Sequence, residues 1–172
     1  MHVSDIISEF AVMLANMDRW LEAGTTFAGQ RGFEADVLAQ ARLFPDQYTL
    51  TQQVQSACDQ AKFAAAYLSG KKAPSHPDTE KTIAELRARI QTCRDYLATF
   101  SRADFDGGEE RPVSPAWMQG NSVRGDRYLH RIGIPNFYFH VAMAYAILRH
   151  NGVPLGKQDY VGLQSFTDTS TW

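Results

Sequence analysis

The stretch Pro135-Asn136-Phe137-Tyr138-Phe139-His140-Val141-Ala142-Met143-Ala144-Tyr145-Ala146-Ile147-Leu148-Arg149-His150-Asn151-Gly152 decides the fold. It is almost wholly apolar, with Pro135 at a first helical position and Gly152 at a C-terminal cap. Arg149 and His150 set cations at the negative end of the helix dipole. Positions 137, 140, 141, 144, 147 and 148 share one face at a period of about 3.6 residues. His140 therefore projects with Phe137, Ala144 and Ile147 into a core.

Outward from this helix, three more are predicted. The first spans 3–23, with Ile6, Phe10, Met13, Met17, Trp20 and Leu21 on one stripe, Ser4 or Asp5 as cap, and Gly24 as its end. Residues 24–45, with Gly24, Gly29, Gly32 and Pro45, read as a connection holding a short helix near 34–41. The second helix spans 49–68 and stops at Gly70, with Leu50, Val54, Ala57, Ala61, Ala65 and Leu68 inward. The third follows Pro77-Asp78-Thr79 and runs to Phe100, with Ile83, Leu86, Ile90, Cys93, Leu97 and Phe100 as its seam. Residues 101–134, rich in Gly and Pro, read as a long irregular crossover to the fourth helix, with 111–113 and 128–132 extended. The segment after Gly152 reads as a wrapping tail rather than a fifth helix, and residues 1–172 as a single domain.

A hydrophobic fraction of 44% and a charged fraction of 21% describe a chain able to bury a core. A net charge of -2 with dispersed Lys and Arg excludes the basic footprint of a nucleic-acid binder. No apolar run reaches the length of a membrane span, and Met1-His2-Val3-Ser4-Asp5 opens with neither a basic n-region nor an apolar h-region. A cytoplasmic protein with no membrane partner is expected. Cys58 and Cys93 sit in helical patterns away from any CxxC or nearby His, as reduced packing residues do. Neither a Gly-x-Ser-x-Gly elbow nor a phosphate-cradling Gly loop after a strand is present.

Arg42-Leu43-Phe44-Pro45-Asp46, then residues 53–62 (Gln53-Val54-Gln55-Ser56-Ala57-Cys58-Asp59-Gln60-Ala61-Lys62), then Pro135 to His140, Ala144 to Pro154 and Gly156-Lys157 together resemble the DUF1993 family of uncharacterised proteins. That family is grouped with the DinB/YfiT-like four-helix bundles. The resemblance implies an all-α, up-down-down-up four-helix bundle with a long crossover between helices three and four and, as is common in the superfamily, a homodimer. The superfamily often holds a divalent metal with three histidines, one on the second helix and two spaced HxxxH on the fourth, and some members use it for thiol transfer. Here Asn136 stands four residues before His140, Ala144 four after, and the second helix carries no histidine. No metal site and no cofactor are therefore expected, and a metal-dependent transferase rests on superfamily analogy alone.

His140 is the candidate around which a site is built. A buried imidazole needs a partner, because a stranded polar group costs on the order of 1–3 kcal/mol. Gln53, Asp46 and Tyr48 are the candidates. A small-molecule site at the bundle end is expected from His140, Asn136, Tyr138, Gln53 and Asp46, with His140 as the candidate catalytic group and more buried than Tyr138, which lies nearer the crossover. The alternative is a dimeric interaction protein in which His140 only packs and hydrogen-bonds. Gln52, Gln55, Asp59 and Lys62 share a face of the second helix, either solvated, with Asp59 pairing Lys62, or meeting the crossover in a polar pocket. Phe63 and Tyr67 on its flank are expected to touch the crossover, the tail or a second subunit.

Overall fold

The computed structural model describes residues 2–162. Its helices are α1 (Val3–Arg31), α2 (Leu50–Ser69), α3 (Ile83–Leu97), α4 (Gly125–Tyr128), α5 (Ile134–His150) and α6 (Lys157–Val161), and α1, α2, α3 and α5 make the bundle. Two short strands, β1 (Pro112–Val113) and β2 (Val123–Arg124), pair antiparallel in the connection between α3 and α4.

Side-chain pairs fix the directions. Asp59 meets Arg89, Cys93 donates to the Cys58 carbonyl, and Lys71 past the end of α2 lies over Phe100 past the end of α3, so α2 and α3 run parallel. Arg87 on Asp18 and Arg102 on Asp5 set α3 antiparallel to α1. Phe10 on Phe137 and Trp20 on Tyr145 set α1 parallel to α5. The result is an all-α, up-down-down-up bundle. α2 packs between α3 and α5, and so does α1 on the other side. The segment from 98 to 133 joins α3 to α5 beneath one end, where Tyr67 of α2 meets Tyr128 and Arg102 meets Asp5 at the start of α1.

Helix starts follow side-chain chemistry. Thr49 and Thr82 each accept from the backbone three residues on, at Gln52 and Glu85, whose side chains return the bond in a capping box. The core runs through Phe10, Leu14, Met17, Trp20, Val54, Ala57, Ala61, Leu86, Ile90, Phe137, Val141, Ala144 and Leu148.

Several boundaries differ from the sequence reading, and α1 is capped by the His2 side chain rather than by Ser4 or Asp5. α1 runs on through Gly24 to Arg31 and is capped by Gly32 at φ 74°. Gly24 is buried mid-helix, where Leu38, Leu148 and Val153 pack over it. α3 stops at Leu97, and the next turn is restarted by Ser101, whose N–H donates to Asp104 Oδ2 at 2.8 Å. Residues 129–133 form a π-helical turn rather than an extended run. Pro135 offers no N–H to the turn before it, and a widened turn accommodates that loss. After Gly152 the chain forms α6, held to α1 by Trp20 Nε1 donating to the Asp159 carbonyl at 3.0 Å and by Tyr160 stacked on Trp20. The rest of the expected tail, 163–172, lies outside the described residues.

Candidate functional site

Gln53 and His140 meet at the α2–α5 seam. The Thr49 capping box fixes the start of α2, so Gln53 points inward beside Val54 and Ala57, and the apolar stripe of α5 carries His140 to the same depth. His140 Nδ1 donates to Gln53 Oε1 at 2.8 Å across 87 residues of chain. Gln53 is 1% exposed and His140 8%. Burial pushes the imidazole below its ordinary pKa, so it is neutral at pH 7. With Nδ1 protonated toward the amide oxygen, Nε2 keeps its lone pair, and it has no hydrogen-bond partner among the described residues.

Two aromatic rings frame this imidazole. Tyr48, 50% exposed, lies parallel to it at 6.2 Å between centroids, and Phe139 stands edge-on at 5.3 Å. One turn further along α5, Gln47 Nε2 donates to Met143 Sδ at 3.5 Å, leaving Gln47 Oε1 buried without a partner. Asn136, half-buried and one turn before His140, makes no side-chain hydrogen bond among the described residues.

Of the five expected site residues, the structure brings His140 and Gln53 together, with Asn136 one turn before His140 on α5. Asp46 is exposed and bonds to none of them. Tyr138 turns to the other side of α5, where its ring packs on Phe10 at 6.1 Å, and burial raises its hydroxyl pKa. Successive helical residues diverge by roughly 100°, which separates it from His140. The loop over His140 is the 41–49 segment, not the crossover. An adjoining open cavity of about 500 Å³ is lined by Tyr48, Gln52, Gln55, Asp59 and Glu80, without His140 or Asn136.

One imidazole with two amides does not fit a transition-metal centre, which takes three or four imidazole, thiolate or carboxylate donors. Among the described residues no group of three or more His, Cys, Asp or Glu is placed to hold a metal ion.

The sequence reading missed the covering of the polar face of α2. Gln55 and Lys62 are buried there beneath the 70–82 linker: Gln55 donates to Glu80 at 2.8 Å, while Arg89 holds Asp59, Asp78, Glu80 and the Pro77 carbonyl. The available signal was Arg89 itself, set in the seam between Leu86 and Ile90. Phe63 and Tyr67 stack on each other, and Tyr67 meets Tyr128 of the crossover.

This arrangement places the molecule among the DinB-like helical bundles. A crystal structure of a DinB family member protein from Shewanella denitrificans matches it with a TM-score of 0.87 and 43% identity, covering 91% of this chain and 89% of that one. The model of a domain of unknown function, DUF1993, matches residues 4–161, and the chain belongs to that family. No curated protein matches it.

Proposed function

We propose that this DinB-like protein binds a small molecule at His140, by a hydrogen bond donated to Nε2 and apolar contact with Tyr48 and Phe139. The observation that carries the reading is the Gln53 bond, which orients a neutral imidazole and leaves its second nitrogen unpartnered at a half-open aromatic site. Asn136 lies within the same face and offers a donor and an acceptor. His140 is the group that would accept a proton if the bound molecule reacts. Two free, buried cysteines suit a reducing cytoplasmic compartment. No helix among the described residues is long and apolar enough to cross a membrane.

A thermal-shift screen of small molecules against the wild type and His140→Gln tests it. Gln keeps a hydrogen bond and the approximate shape of imidazole. The reading expects His140→Gln to unfold cooperatively and to lose the ligand-induced shift. If every molecule that shifts the wild type shifts that variant undiminished, the reading is overturned.

A homodimer is the second reading, favoured by the exposed rings of Phe44, Tyr48 and Phe139 near the site. Light scattering at micromolar protein reads twice the chain mass if copies pair there, and Phe139→Ser returns it to one.

A further inference from the structure

A second cavity, of about 720 Å³, opens between α2, α3 and the 70–82 linker, with Lys62, Phe63, Lys72, Pro74, His76 and Tyr96 in its wall. Lys62 is only 2% exposed. Its ammonium donates to Asp59 Oδ1 at 2.6 Å, and that same oxygen takes Arg89 Nη2 at 2.9 Å. Two buried cations thus share one carboxylate oxygen. The other near neighbour of Lys62 is the face of Phe63, 4.6 Å from ring centre to Nζ. The Lys62 ammonium carries three N–H donors, and only the one to Asp59 has a hydrogen-bond partner among the described residues.

The wall holds further unmet groups. His76 Nδ1 and the Tyr96 hydroxyl are both shut from solvent with no hydrogen-bond partner, and Arg89 Nε is in the same state behind His76. At His76 the field is cationic. After burial, Lys62 and Arg89 are the largest influences holding its pKa down, ahead of the opposing Asp59 and Glu80. Asp59 is the one carboxylate in the described wall, its Oδ1 held by both Lys62 and Arg89; around it the cavity sets the Lys62 and Lys72 ammonium groups on one side and the apolar surfaces of Phe63 and Pro74 on the other.

The geometry points to a second binding site here, for a small carboxylate with an apolar body. The carboxylate would reach Lys62 with Tyr96 and His76 beside it, and the apolar part would lie on Phe63 and Pro74. The site is separate from the His140 seam and does not depend on it.

The probe is benzoate, titrated at constant ionic strength into the full chain while the ring signals of His76 and Tyr96 are followed by NMR. Both should shift saturably, and benzyl alcohol, the same ring without the charge, should bind at least about tenfold more weakly. Lys62→Met should weaken benzoate by about tenfold or more, with Arg89 still pairing Asp59. Tyr96→Phe removes a hydroxyl that has no protein partner, so it should leave the unfolding midpoint unchanged or raised and still weaken benzoate by roughly threefold or more. His140→Gln should not alter the titration. Shifts that never saturate overturn the proposal. So do shifts that appear at His140 instead of His76, equal binding of benzyl alcohol, or affinities within about twofold of the wild type in both cavity variants.

Discussion

At His140 the sequence is informative about depth and silent about direction. The 3–4 spacing of Phe137, Val141 and Ala144 puts the imidazole in the core, and the place of Gln53 at the edge of the α2 stripe makes it a partner. Asp46 was misplaced because a loop has no period from which its side chains can be aimed. The lowered His140 pKa has a measurable sign. The unfolded chain protonates near an ordinary value of about 6.5, whereas the folded chain resists until lower pH, so stability is full above that value and falls as pH drops through the window below it. Urea unfolding at about pH 7.5 and 5.5 should show the margin of the wild type over His140→Gln shrinking on acidification, with His76 contributing alike to both. His140→Ala should cost on the order of 2–4 kcal/mol at neutral pH, from the cavity and the stranded Gln53.

Among the elements, the helices and their inward faces follow from hydrophobic period and caps, and the errors fall where tertiary packing overrides a local signal. Gly24 reads as a stop, yet it is a contact point between α1, Leu38 and Leu148. An added methyl there would sit at 3.4–3.5 Å from Leu38 and Leu148, ordinary contact, so Gly24→Ala should be neutral or stabilise by up to about 1 kcal/mol through helix propensity. Gly24→Leu should destabilise by roughly 1–3 kcal/mol through overpacking, as chemical denaturation would register. The linker 70–82 was hidden for another reason: charged residues that would look solvated on α2 are covered only once Arg89 gathers Asp78, Glu80 and Asp59. Arg89→Met removes the partner shared by those carboxylates, but Asp59 keeps Lys62, Glu80 keeps Gln55 and Asp78 faces water, so it should cost about 1–3 kcal/mol by the same measurement.

For the whole molecule, the order of helices came from the family likeness, since period alone does not say which helices are neighbours. Cys58 and Cys93 lie side by side at the α2–α3 seam and are fully buried. Neither thiol should react with an aromatic disulfide reagent in the native state, and both should react at the rate of global opening in denaturant. Fast native labelling of either would show that α2 and α3 part locally. The parallel course of α2 and α3 also has a kinetic consequence. Since neighbours in sequence are not simple hairpins, the bond between α2 and α5 joins residues 87 positions apart, and the bonds that hold α6 to α1 span 139 and 144 positions. High contact order slows folding, so the chain should refold more slowly than an up-down-up-down bundle of equal length, with α5 and α6 the last to dock.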